Sequence, residues 1–201
     1  MNPKYHGDSK DIFKRGFLDL LKNCPSLRPV KILPLFTGEY HEEDVVAYTR
    51  VLGVDMDDLI SLDRFYPRQD RKKYLGRASL VAETCDVFMD PDRGIVQELR
   101  DQASDREVVS VGEIRTMLAD AHGLFLAFDE SLSNADRETG IGEKIDALTA
   151  MGMTAFAYFN SSPNQPSILI MGGEAGKHRV HALRPELLAL GIPSQKIRPL
   201  F

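Results

Sequence analysis

Thr84-Cys85-Asp86-Val87-Phe88-Met89-Asp90-Pro91-Asp92-Arg93-Gly94 holds an apolar run shut at both ends by acids. Residues 70–83 ahead of it read as a helix, basic in its first half and apolar in its second. Residues 86–90 then read as a short strand, closed by Pro91, which cannot donate to a ladder. Helix, strand and turn in such close succession make the unit of a parallel sheet. Downstream, residues 108–121 read as a helix. Gly123-Leu124-Phe125-Leu126-Ala127-Phe128 is the most apolar short run of the chain, the pattern of a central strand buried on both faces.

The same alternation extends both ways. Residues 9–22 form an amphipathic helix with Asp8 or Ser9 as its cap. Residues 30–36 form a strand, 42–52 a helix, and 55–62 a further short helix. After the first motif, residues 95–101 are expected to be helical. Residues 138–151 form a helix stopped by Gly152. Two strands, 153–159 and 167–171, are joined by the turn-rich stretch 160–166, which predicts an antiparallel hairpin at the sheet edge. A last helical turn or two covers 185–190. Together these predict a Rossmann-like three-layer α/β sandwich, its sheet mostly parallel with a C-terminal antiparallel hairpin. The 201 residues fit one domain spanning 1–201.

The 25 Lys and Arg against 30 Asp and Glu give a net charge of −5, so the molecule as a whole does not attract nucleic acid. The distribution is uneven. Residues 38–63 are acidic. Residues 64–77 hold Arg64, Arg68, Arg71, Lys72, Lys73 and Arg77 against Asp70 alone. Residues 177–198 are basic again, with Lys177 and Arg179 among them. These two segments are either a phosphate-binding face or two solvated helix surfaces. Cys24 and Cys85 stand far apart with no CxxC spacing and no export signal, which points to a reducing, cytoplasmic setting. No run approaches the ~18 apolar residues of a membrane span.

In open α/β sheets ligands bind beyond the carboxyl ends of the strands. Three loops there carry chemistry. In Asp90-Pro91-Asp92-Arg93-Gly94 two carboxylates flank a rigid proline, and Gly94 lets the backbone come close to a ligand. Such carboxylates orient water or stabilise a cationic transition state; otherwise the loop is an Asx-type turn. Asp129-Glu130-Ser131-Leu132-Ser133-Asn134 follows the most buried strand, and its Leu132 is either a wedge between stacked bases or a core anchor. Thr37-Gly38-Glu39-Tyr40-His41 offers an acid and a stacking ring. The opening Lys4-Tyr5-His6-Gly7-Asp8-Ser9-Lys10 would fold over the same edge. The chain has no GxGxxG after its first strand, which disfavours dinucleotide binding, and it has no P-loop and no GxSxG elbow. The five histidines show no metal spacing. His178 and His181 could share a helix face, as phosphate contacts or as exposed groups. Gly172-Gly173-Glu174-Ala175-Gly176-Lys177 is either a phosphate cradle or a flexible hairpin exit.

Lys4-Tyr5, Gly7-Asp8, Asp11 and Lys14, followed by Asp86-Val87-Phe88-Met89-Asp90-Pro91-Asp92-Arg93-Gly94-Ile95, resemble a bacterial family with a K-Y-x-G-D opening and a strand ending D-P-D-x-G-I. Two larger groups look similar at this point. Amino-methyltransferases place a D-P-P-Y loop at a strand end. Uracil-DNA-glycosylase-like enzymes place a Q-D-P-Y loop at one strand end and an H-P-S loop with an intercalating leucine at another; Asp90-Pro91-Asp92 and Ser131-Leu132-Ser133 look like distant counterparts. Similar proteins occur among anti-phage glycosylases that remove modified bases. The resemblance implies a cofactor-free DNA glycosylase that flips its target nucleotide. Asp90, Asp92 and Glu130 would be catalytic. Tyr5, Asp8, Glu39, Tyr40, Arg93, Gly94, Asp129, Ser131, Leu132 and Ser133 would contact the substrate. Arg68, Arg71, Lys72, Lys73, Lys177 and Arg179 would hold DNA phosphates. A nucleic-acid methyltransferase and a non-catalytic binding module are the alternatives.

Overall fold

The computed structural model describes residues 7–37, 41–60, 71–99, 107–131, 137–159 and 166–198. In chain order the elements are α1 (Ser9–Leu21), β1 (Val30–Pro34), α2 (Glu42–Leu52), α3 (Arg71–Val81), β2 (Asp86–Asp90), β3 (Gly94–Val96), β4 (Val108–Ser110), α4 (Val111–Leu118), β5 (Phe125–Asp129), α5 (Arg137–Ala150), β6 (Thr154–Phe159), β7 (Ser167–Gly172), α6 (Lys177–Ala189) and β8 (Ile197–Arg198). Six strands form the main sheet in the order β1-β2-β5-β7-β6-β8, and β3 pairs with β4 apart from it.

Every residue of β2, β5 and β7 is buried. Strands alternate their side chains between faces, so such runs must meet a core on each side. Val87, Met89, Phe125, Ala127, Leu169 and Met171 point to one core, closed by α3, α4 and α5. Phe88, Leu126, Phe128, Ile168 and Ile170 point to the other, closed by α1, α2 and α6. The molecule is thus a mixed α/β fold with helices on both faces of one sheet. No helix among the described residues is long and apolar enough to cross a membrane.

The last helix is longer than the turn or two expected at 185–190, running over Lys177–Ala189, and two features of the strands also depart from the sequence reading. The sheet is not mostly parallel. β1, β2 and β5 pair in parallel, but β5–β7, β7–β6 and β6–β8 are antiparallel. β6 and β7 do pair antiparallel, yet β7 is inserted between β5 and β6 rather than lying at the edge. The burial explains the order: β7 is covered throughout, whereas Thr154 and Tyr158 of β6 are half-exposed. The second departure is at Ile95 and Val96, expected to open a helix over 95–101 but lying in β3. Ile95 and Val96 are β-branched and find Val109 and Ser110 as strand partners. The following helix starts only after Ser110, whose hydroxyl accepts from Glu113 N at its first turn.

Asp86 ties the amino edge together. It is fully buried, and its carboxylate accepts from Arg28 N (2.7 Å), Leu124 N (2.7 Å), and Arg179 Nη1 (2.8 Å) and Nη2 (2.5 Å). The Arg179 Nε donates to the Ser26 carbonyl at 2.9 Å. Asp86→Ala leaves a buried guanidinium without its counter-ion and two backbone amides without their acceptor. It is expected to cost about 3–5 kcal/mol, read as a lower urea midpoint in circular dichroism. An unchanged midpoint would show that the pair contributes nothing.

Candidate active site

The loops leaving β2 and β5 are locked to each other. Gly94 has φ +96°, and a Cβ there would lie 2.1 Å from Asp129 Oδ1 and 2.7 Å from Glu130 N. Its close backbone approach is therefore to the neighbouring loop. Asp129 is fully buried. Its Oδ1 accepts from Ile95 N (3.0 Å), Ser131 N (3.1 Å) and Ser131 Oγ (2.8 Å), while Oδ2 meets Lys144 Nζ of α5 at 2.5 Å. Lys144 also donates to Ser131 Oγ. Gly94, Asp129 and Ser131, expected to touch substrate, instead build the wall that holds the two loops in register.

Asp90, at the end of β2, is 1% exposed. Lys14 of α1 places its Nζ 2.9 Å from Oδ1 and 3.0 Å from Oδ2, and Tyr48 of α2 donates its hydroxyl to Oδ2 at 2.8 Å. The same ammonium donates to Asp11 Oδ1 at 3.0 Å, and Asp11 Oδ2 accepts from Gly7 N at 2.9 Å. Lys14 also sits 4.4 Å from the Phe128 ring centroid. Burial works hardest against its charge, yet Asp90 and Asp11 outweigh that and hold its pKa above the ordinary lysine value. Burial and then Asp90 push Tyr48 well above the usual phenol range. Asp90 is thus the buried anchor of a quartet with Lys14, Asp11 and Tyr48. The opening motif Gly7-Asp8…Asp11…Lys14 and the Asp90 loop, 76 positions apart, meet in one cluster.

Two carboxylates remain nearer solvent. Glu130 keeps 21% of its side chain exposed and contacts Lys10 Nζ, itself 41% exposed. Burial raises its pKa; Lys10 and Lys14 oppose this, and Asp90 adds to the rise. Asp92 is half-buried and accepts from Thr37 Oγ1 at 2.9 Å. A half-buried carboxyl whose proton affinity is raised by its surroundings is a group that general acid–base chemistry uses.

The remaining expected residues disperse. Asp8 caps α1, accepting from Lys10 N (2.8 Å) and Asp11 N (3.2 Å). Arg93 is exposed and pairs with Glu107 at 2.8 Å. Lys72 and Lys73 are exposed in the first turn of α3. That turn lies at the carboxyl edge, because the Tyr74 hydroxyl donates to the Pro34 carbonyl at the end of β1. Arg71 is buried instead, donating to Glu113 and, at 2.7 Å, to the Val108 carbonyl. Lys177 and Arg179 lie at the opposite edge of the sheet, since β7 runs against β5 and α6 begins where β7 ends. Lys72 and Lys73 therefore do not share an edge of the sheet with Lys177 and Arg179. The glycines before α6 answer to packing: a Cβ on Gly173 would stand 2.5 Å from the Leu118 carbonyl oxygen, and one on Gly172 2.9 Å from Val180. His178 and His181 are exposed, and no described group of three His, Cys, Asp or Glu is placed to hold a metal. Tyr5, Glu39, Tyr40, Arg68, Leu132 and Ser133 lie outside the described residues.

Sequence reasoning assigned no role to Lys10, Tyr48 or Lys144, and quoted Lys14 only within a motif. The signal was there: Lys14 falls between Phe13 and Phe17, and Lys144 between Ile141 and Ile145, on faces otherwise apolar. Comparison with protein-family models and with curated proteins finds no match to the chain.

Lys14→Met leaves Asp11 and Asp90 buried without their cation, an expected loss of about 3–5 kcal/mol at neutral pH. Lys14 binds its proton more tightly folded than unfolded. The wild-type advantage is therefore complete below the ordinary value of 10.5 and declines as pH climbs through the raised one. Urea midpoints of both proteins from pH 7 upward measure this. A gap that widened in alkali would contradict the ion pair.

Proposed function

We propose that the chain hydrolyses N-glycosidic bonds in DNA, with Glu130 and Asp92 as the working carboxylates and Asp90 as a buried positioning residue. The observation that carries this is the state of Glu130. It is the described carboxylate at the carboxyl edge whose surroundings favour the protonated form while its partner is open to water. The resemblance of the Asp90 and Ser131 loops to those of uracil-DNA-glycosylase-like enzymes supplies the reaction class.

In this reading a flipped nucleotide enters beside the loops at 90–94 and 129–131. The bond between the sugar C1′ and the base nitrogen breaks. Glu130 gives its proton to the departing base. Asp92 faces the cationic sugar and takes a proton from the water whose hydroxyl adds to C1′. Lys72 and Lys73 meet backbone phosphates at the same edge. Asp90 keeps Lys14, and through α1 also Lys10, in place around Glu130.

A second reading is a non-catalytic nucleic-acid-binding module. It draws on the locking of Asp90 and Asp129 into buried ion pairs. It predicts binding without product.

The test is incubation with modified and unmodified DNA, alkaline cleavage at abasic sites and mass analysis of released bases. Glu130→Gln and Asp92→Asn should each lower base release by about 10²–10⁴-fold. Release undiminished in both variants would sink the assignment. A companion measurement concerns stability. The Glu130 pKa is raised on folding, so its ionisation costs stability as pH rises past the ordinary 4.5. Glu130→Gln should therefore match the wild type in acid and become the more stable protein toward neutral pH, by thermal melts.

A further inference from the structure

Lys10 and Lys14 lie one helical turn apart on the same face of α1. Lys14 is buried and engaged by Asp90 and Asp11. Lys10 is the outer of the two, 41% exposed, and its ammonium rests on Glu130. The amide donors at the start of α1 offer no competing anion site, because Asp8 already takes Lys10 N and Asp11 N. An anion arriving beside Glu130 therefore meets the Lys10 ammonium rather than these amides.

We propose that Lys10 senses the substrate's phosphate: a phosphate oxygen replaces the Glu130 carboxylate as partner of the Lys10 ammonium. The inference rests on the reading of Glu130 given above and adds how that residue is charged for its task. Three charged groups act on Glu130, beside its chain neighbour Asp129. Lys10 and Lys14 come from α1, Asp90 from the end of β2, and the neighbouring Asp129 is neutralised by Lys144 from α5. Lys14 is held between two carboxylates and stays where it is. Withdrawal of Lys10 thus leaves Glu130 half-buried and facing Asp90 across a cation that is already shared. In that setting the carboxyl takes a proton from solvent. Protonation is then coupled to occupancy, and the acid is loaded when a phosphate is seated.

The experiment follows the Glu130 carboxyl by carbon NMR in the full chain labelled at glutamate, with Glu130→Gln identifying its signal. The titration is run in sodium chloride, in inorganic phosphate at matched ionic strength, and with a short oligonucleotide. In the wild type the midpoint should rise with phosphate or oligonucleotide and stay put with chloride. In Lys10→Met it should start higher by about one unit and ignore all three. Lys10→Arg should restore the response. A response to the oligonucleotide alone would assign the ligand to the polymer backbone, and a response to both to a phosphate group in general; either supports the sensor. A midpoint unmoved by Lys10→Met, or moved equally by phosphate in both proteins, overturns it. The readout is independent of turnover. A phosphate-responsive midpoint with no base released leaves the sensor standing and removes the glycosidic reading, whereas base release with an immobile midpoint does the reverse.

Discussion

The Lys14 ammonium, taken out of water between Asp90 and Asp11, is the constraint around which the carboxyl edge is arranged. An ammonium buried alone would cost several kcal/mol, so α1 cannot dock on the sheet unless the end of β2 presents its carboxylate there. The reverse holds for Asp90, whose other side-chain contact is the Tyr48 hydroxyl from α2. Helix, strand end and second helix thus fix one another. Well-packed apolar residues can match such a cluster in stability, so what this one specifies is geometry. It sets the height of α1 against the sheet, and with it the place of Lys10 one turn away.

The same device recurs at other strand ends. Asp86 opens β2 and receives Arg179 from α6; Asp129 closes β5 and receives Lys144 from α5. A strand terminus leaves backbone amides that the ladder does not use, and a carboxylate collects them: Arg28 and Leu124 at Asp86, Ile95 and Ser131 at Asp129. Each carboxylate then carries a buried charge, which a helical cation neutralises. Three helices from both layers are thereby pinned to the sheet at named points. Packing alone would let them slide.

This device also explains how far the sequence could be read. β2 and β5 were legible because a short apolar run between turn residues has few other uses. β3 was not, because three residues show no period; only Val108–Ser110 across the gap makes them a strand. The place of β7 between β5 and β6 was hidden as well, since local signals pair it with β6 and say nothing of its other edge. At the site, acids at strand ends announced themselves. Their cations did not, because a lysine or arginine on a helix is normally solvated. Arg71 and Arg179 counted as surface charge in composition and lie buried in ion pairs. Charge runs therefore concealed the internal pairs.

Which carboxylate can do chemistry follows from how each is partnered. Asp129 is surrounded by donors on both oxygens, and those bonds hold two loops together. Asp90 is shared by an ammonium and a phenol and closed to solvent. Glu130 differs in kind. Its close cationic partner is on the surface, and the buried charges behind it are already balanced against each other save for one carboxylate. A group so placed changes its proton occupancy when the partner is drawn away, without disturbing the core. Rigid ion pairs underneath make that possible. Among the described residues, the charges that act on Glu130 besides Lys10 are held by the fold.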